Sequence, residues 1–255
     1  MALSLTLNDG KKVYFASDFH LGTPDPQSSL KREKKITRWL DMSANDAAAI
    51  FLLGDIFDFW FEYKKVVPKG FVRFQGKLAE IADRGIPVYI FTGNHDLWMF
   101  DYFTEELGIT VFSEPQELVV NETKFLIGHG DGLGPGDGKY KKLKKLFTNR
   151  LAQRSFAFLH PRIGVGLAHH WSRQSRLANT KFEDQFYGDD EHLLIYCKAV
   201  EEQAHHDYYI FGHRHLVLDM EVSPNSRYLN SGDWVNNTNY IVFDGKTCQM
   251  VEYSA

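Results

Sequence analysis

Five short apolar runs in this 255-residue chain each stop at a cluster of Asp, His or Asn residues. The clusters are Asp18-Phe19-His20, Gly54-Asp55-Ile56-Phe57-Asp58, Gly93-Asn94-His95-Asp96, Gly128-His129-Gly130-Asp131 and Gly212-His213-Arg214-His215. The runs that lead into them are Val13–Ser17, Ala49–Leu53, Val88–Thr92, Lys124–Ile127 and Tyr208–Phe211, with a sixth run at Tyr240–Phe243. They are rich in β-branched and aromatic residues and read as buried strands. Helical spacing fills Leu30–Leu40 and Phe71–Ala82, the second stopped by Gly85 before Pro87. Alternation of strand and helix predicts an α/β domain with parallel pairing in its first half. After Val217 short strands and turns predict an antiparallel second sheet. A 44% hydrophobic content can fill the core of one such domain spanning residues 1–255.

Open α/β sheets collect ligands and catalytic groups just past their strands. Glycine beside such a group lets the backbone turn tightly and leaves room for a substrate. In Asp18-x-His20 and His213-x-His215 a period of two would aim both side chains the same way if the strand continued. Each signal alone is weak, but five in order are hard to explain structurally. Burying so many polar groups without partners would cost several kcal/mol each, about 2–7 by transfer measurements. A bound dication supplies the partner. Eleven histidines and only two cysteines, Cys197 and Cys248, give a nitrogen and oxygen donor set without thiolates. Such a set suits Mn, Fe, Zn or Mg-type ions.

Residues 138–188 break the rhythm. No strand is evident there, and helical stretches occur at Tyr140–Arg154, Phe156–Leu159 and Val165–Leu177. Leu143, Leu146, Phe147, Leu151, Phe156 and Phe158 make an apolar face beside the lysines. From Gly138 to Phe182 there are eleven Lys or Arg and no Asp or Glu, within a chain of net charge −4. The asymmetry points to an anionic partner. A helical insertion between two site-bearing strands reads as a lid or substrate-binding module. Its apolar face equally suits a homodimer contact. The amino terminus lacks the pattern of a signal peptide, and sparse cysteine suggests a reducing, cytoplasmic setting.

The ordered set of clusters resembles the calcineurin-like metallophosphoesterase family over Val13 to His215. The resemblance implies a four-layer α/β/β/α sandwich. It also implies one metal held by Asp18, His20 and His215, another by Asn94, His129 and His213, and Asp55 bridging the two. A shared carboxylate suits two-metal separations of roughly 3.5–4 Å. His95 is then expected as general acid or electrostatic stabiliser at the leaving oxygen, with Asp96 orienting its ring. Asp58 and Asp131 suit either a place behind the ligands or a solvent-facing or capping role.

Within the family the likeness is to the UDP-2,3-diacylglucosamine hydrolases of lipid A biosynthesis. It rests on the aromatic run Gly54-Asp55-Ile56-Phe57-Asp58-Phe59-Trp60-Phe61 and on the place and length of the insertion. The insertion carries Tyr140 and Arg173 as expected substrate-binding residues. The resemblance implies manganese, a lipid-linked sugar nucleotide substrate and peripheral contact with the cytoplasmic face of the inner membrane. One departure stands out. The best-known members have Arg after the motif Asn, whereas this chain has His95, which also allows poorer leaving groups. A nuclease would interleave its cations with stacking aromatics over a groove. The aliphatic spacing of residues 138–188 disfavours nucleic acid. A dead scaffold would have lost ligands, and none is missing.

Overall fold

The computed structural model describes residues 2–135, 138–167 and 185–254. Its strands, in chain order, are β1 (Leu3–Leu5), β2 (Lys12–Ala16), β3 (Ala47–Leu52), β4 (Val88–Phe91), β5 (Thr110–Phe112) and β6 (Gln116–Val120). There follow β7 (Thr123–Gly128), β8 (Tyr208–Phe211), β9 (Val217–Ser223), β10 (Ser226–Ser231), β11 (Asn239–Phe243) and β12 (Cys248–Glu252). The helices are α1 (Pro26–Ser43), α2 (Val72–Asp83), α3 (Tyr102–Leu107), α4 (Gly138–Phe147), α5 (Arg150–Ala157), α6 (described over residues 161–167) and α7 (His192–Glu201).

Two six-stranded sheets result, ordered β12-β11-β2-β3-β4-β5 and β1-β6-β7-β8-β10-β9. Alternation along each strand explains the stacking. In β2, Val13 and Phe15 enter the core between the sheets, while Tyr14 and Ala16 pack with Trp39 and Leu40 of α1. In β8, Ile210 joins that central core, and Tyr209 and Phe211 pack beneath Leu193, Leu194 and Cys197 of α7. Strands covered on both faces read as unbroken apolar runs, which is why the central ones were visible in sequence. The layers are therefore α/β/β/α, as expected.

The first sheet is parallel from β2 through β5. The second is not simply antiparallel. β7, β8 and β10 run parallel, and only the β6-β7 and β9-β10 pairs run antiparallel. The strand at Tyr240 belongs to the first sheet, where β11 pairs antiparallel with β2. Its residues from Tyr240 to Phe243 are all buried, so only an interior place beside another strand covers both faces. Strands β1, β5, β6 and β12 have exposed positions and lacked a continuous apolar signal, and in the interior strand β10 polar residues break the run.

The expected helix Tyr140–Arg154 is two helices. The Asn149 side chain accepts the N–H groups of Leu151 and Ala152 at 2.8 and 3.2 Å and starts α5 as its N-cap. The Val165–Leu177 stretch is helical through residue 167, and its remainder lies outside the described residues.

Phe51 lies fully buried between the sheets, stacked on Phe15 at 5.3 Å and Tyr89 at 4.8 Å. Phe51→Ala should cost about 3–5 kcal/mol of folding stability, read by urea denaturation.

Candidate dimetal site

All five clusters meet at one end of the sheets. The strands themselves stop short of the ligands: β2 ends at Ala16 and β8 at Phe211. Asp18, His20, Asp55, His213 and His215 all take left-handed backbone, with φ of 57°, 44°, 50°, 71° and 51°. Residues other than glycine rarely adopt this region, at a cost of about 1–3 kcal/mol each. The shared direction of Asp18 and His20, and of His213 and His215, thus comes from turns rather than from a continuing strand. Hydrogen bonds between loops hold the turns. The N–H groups of Asp18 and His20 donate to the carbonyls of Gly54 and Asp55 at 3.0 and 2.9 Å. The Trp234 N–H donates to the Asp18 carbonyl at 2.9 Å, and the His213 N–H donates to the Asp18 carboxylate at 3.1 Å.

The side chains form two facing groups. In one, Nε2 of His20 and Nε2 of His215 lie 3.0 Å apart, and Asp18 Oδ1 is 3.4 Å from the latter. One ligand atom each from Asp18, His20, Asp55 and His215 can be chosen so that all lie within 4.8 Å of one another. In the other group, Asn94 Oδ1 is 3.2 Å from His129 Nε2 and 3.0 Å from His213 Nδ1. Asp55 stands between them: its Oδ2 is 3.9 Å from His20 Nε2 and 3.4 Å from His129 Nε2. Its Oδ1 accepts the His95 N–H at 2.8 Å, which fixes the carboxylate plane.

The donor set fits dications. His129 Nδ1 faces the Leu53 carbonyl at 2.8 Å, and a carbonyl only accepts, so Nδ1 carries a hydrogen. Nε2 of the neutral ring then aims a lone pair at the oxygens of Asp55 and Asn94, which are acceptors too. A cation between them reconciles these atoms. In the metal-free protein a proton plays that part. Burial lowers the His129 pKa, but the Asp55 charge outweighs it and pushes the ring up to about 10. Burial and the His129 charge press His213 down to about 4, and burial keeps His20 well below its usual value. Burial alone would raise Asp55, yet the neighbouring His129 and His95 hold it well below the usual carboxylate range. The site is thus poised with His20 and His213 neutral and Asp55 ionised.

The glycines have a more specific role than leaving room for substrate. A Cβ on Gly93 would lie 2.2 Å from Asp55 Oδ1 and 2.6 Å from the Asp55 nitrogen. One on Gly54 would meet His129 Nδ1 at 2.6 Å, and one on Gly212 would meet Asp18 Oδ2 at 2.5 Å. The ligands themselves fill the space that each glycine vacates.

Asp96 does not hydrogen-bond the His95 ring. Its Oδ1 accepts the Gly93 N–H at 2.7 Å, and its Oδ2 accepts those of Ile56 and Phe57 at 2.7 and 3.2 Å. It ties the second and third clusters together. The group facing His95 Nδ1 is the Asp58 carbonyl at 3.1 Å, with the Asp58 carboxylate 3.8 Å away. Nδ1 therefore donates to the Asp58 carbonyl. Asp131 is buried beside His129 and accepts the Tyr140 hydroxyl at 2.5 Å and Lys144 at 2.8 Å. Tyr140 and α4 are thereby fastened at the edge of the site. Arg173 lies outside the described residues.

Sequence reading missed Arg32. From α1 its buried guanidinium donates to the carbonyls of Phe19, His20 and Thr23, holding the loop that carries His20. Nothing in the helical pattern marked it, except that an arginine sits on a buried helix face.

The helices after β7 dock through aromatic rings. Phe156 packs on Phe61 and Trp98 at 4.8 and 4.7 Å, and Phe147 meets Trp98 edge-on at 5.5 Å. Trp98 Nε1 also donates to the Phe147 carbonyl at 2.8 Å. Phe147 therefore serves docking, while Leu151, Phe158, Ile163 and Leu167 stay exposed.

Residues 11–217 match the calcineurin-like phosphoesterase family. A protein of Porphyromonas gingivalis named UDP-2,3-diacylglucosamine hydrolase is 39% identical over 92% of this chain and 95% of its own length. Proteins of the same name from Proteus mirabilis and a Shewanella species are 27% and 26% identical, over 84% and 88% of this chain and 87% and 89% of theirs.

The glycine contacts give a direct check. Gly93→Ala should push Asp55 off its position and weaken manganese binding about 10–100-fold, read by titration calorimetry, with the circular dichroism spectrum retained.

Proposed function

Because the chain belongs to the calcineurin-like phosphoesterase family, we propose that it hydrolyses the pyrophosphate of UDP-2,3-diacylglucosamine to UMP and 2,3-diacylglucosamine 1-phosphate. The observation that carries this reading is the 39% identity to a hydrolase of that name over nearly the whole of both chains. That span is too long to leave out the insertion, the part that separates this substrate from other phosphate esters.

In this reading Asp18, His20 and His215 hold one divalent ion, and Asn94, His129 and His213 hold the other. Asp55 would be shared; the mixed nitrogen and oxygen donors suit Mn, Fe, Zn or Mg-type ions, and the likeness to UDP-2,3-diacylglucosamine hydrolases favours manganese among them. When bound, the ions supply Lewis-acid charge to the phosphoryl oxygens and make water a nucleophile near neutral pH. The protein's own groups do the rest. Left-handed turns and interloop hydrogen bonds fix the ligands before substrate arrives. Asp58, not Asp96, orients His95 through Nδ1, so that Nε2 can give a proton to the departing oxygen. Asp131 steadies Lys144 and Tyr140 next to His129.

Residues 138–188 act as the lid. Their exposed Leu151, Phe158, Ile163 and Leu167 offer apolar surface for acyl chains, and the surrounding cations suit the pyrophosphate and an anionic membrane surface. No helix among the described residues is long and apolar enough to cross a membrane. Peripheral contact with the cytoplasmic face of the inner membrane through this lid fits the proposed substrate.

The test is product analysis. Purified protein with manganese is incubated with UDP-2,3-diacylglucosamine, bis-para-nitrophenyl phosphate and single-stranded DNA. UMP and the lipid phosphate are expected, with little release of nucleotides from DNA. Turnover of the diester or DNA without the sugar nucleotide would contradict the reading. In the same assays His95→Ala should slow an ester with a poor leaving group about 10²–10⁴-fold and the pyrophosphate far less. Equal losses on both would show that His95 does not act as the acid.

A further inference from the structure

Arg214 sits between two of the ligand histidines, and its guanidinium is committed elsewhere. Nε donates to Glu191 Oε2 at 2.8 Å, and one terminal nitrogen donates to Glu191 Oε1 at 3.0 Å. The same nitrogen donates to the Gln185 carbonyl at 2.7 Å. Both charged residues are buried, at 4% and 0% exposure, so the pair is shielded from solvent. Glu191 Oε1 also accepts the Tyr187 N–H at 3.0 Å, and Arg214 Cζ lies 5.7 Å from the centre of the Tyr187 ring. Residues 185–191 are the limb by which the chain returns from the insertion to α7. They are fastened to the loop that carries His213 and His215.

That loop needs an outside hold. The residues on either side of Arg214 have φ of 71° and 51°, a region uncommon for any residue other than glycine. A planar, two-pronged contact fixes orientation as well as distance, and only arginine supplies it. Glu191 is placed to receive it at the very start of α7.

We propose that Arg214 and Glu191 are a positioning pair that sets His213 and His215 for metal and anchors the return limb of the lid to the same loop. Metal affinity and lid placement are then coupled through one buried contact. The metal half of this proposal stands independently of the substrate, and the lid half rests on the function proposed above.

Three variants separate the halves: Arg214→Met, Arg214→Lys and Glu191→Gln. Manganese affinity is measured by calorimetry, and KM is measured for the diacylated sugar nucleotide and for bis-para-nitrophenyl phosphate. Arg214→Met should weaken manganese binding about 10–100-fold. Arg214→Lys keeps the charge opposite Glu191 but loses the second donor to Gln185. It should recover most of the metal affinity, and it should raise KM for the lipid substrate more than for the diester. Wild-type manganese affinity in Arg214→Met would overturn the proposal. Parallel KM changes on both substrates in Arg214→Lys would overturn its lid half. If Arg214→Met does not fold, Glu191→Gln, which keeps the side-chain volume, is read the same way, and unchanged affinity there is again fatal. Failure of the wild type to cleave the sugar nucleotide would remove the functional reading and leave the metal result standing.

Discussion

The Asp55 carboxylate is the point on which the site depends. One oxygen is fixed by the His95 N–H, and the other faces His20 and His129 from the two ligand groups. A buried carboxylate in that position is several kcal/mol costlier than one in water unless cations compensate it. In the metal-free protein the His129 proton compensates it, and a pair of dications would do so more fully. Every other feature of the site keeps these groups from separating. Gly93 and Gly54 bring backbone within reach of the ligands, and the Asp96 carboxylate binds the two loops that carry Asp55 and Asn94 to each other.

The scaffold offsets the strain this demands. Five candidate ligand residues in left-handed backbone cost about 1–3 kcal/mol each, a large share of a typical domain stability of about 5–15 kcal/mol. Two sheets covered on both faces, with Phe15, Phe51 and Phe125 stacked between them, supply apolar burial away from the reacting end. Stability and chemistry are thus kept apart in space: the core lies along the strands, and the strain lies in the turns just past them.

The sequence carried some of this and hid the rest for physical reasons. Six interior strands were legible because burial on both faces leaves an unbroken apolar run, and those runs coincide with β2, β3, β4, β7, β8 and β11, whereas polar residues hid β10. Edge strands such as β5 and β12 were not, since partial exposure erases the pattern. Which sheet β11 joins was also invisible, because pairing is a long-range choice. The site clusters were legible from their composition, and the structure brings Asp18, His20, Asp55, Asn94, His129, His213 and His215 together. The partner of His95 was not legible. Asp96 is adjacent in sequence but turns to backbone amides, whereas Asp58 reaches the ring across a loop. Arg32 and Glu191 were missed because nothing in the sequence marks a charged residue as buried.

Binding of two ions through one shared carboxylate is tested most directly by calorimetric titration of the metal-free protein with manganese. Two equivalents are predicted for the wild type, with both sites weakened in Asp55→Asn. A single equivalent in the wild type, or an Asp55→Asn variant that loses one site and keeps the other at full affinity, would contradict it.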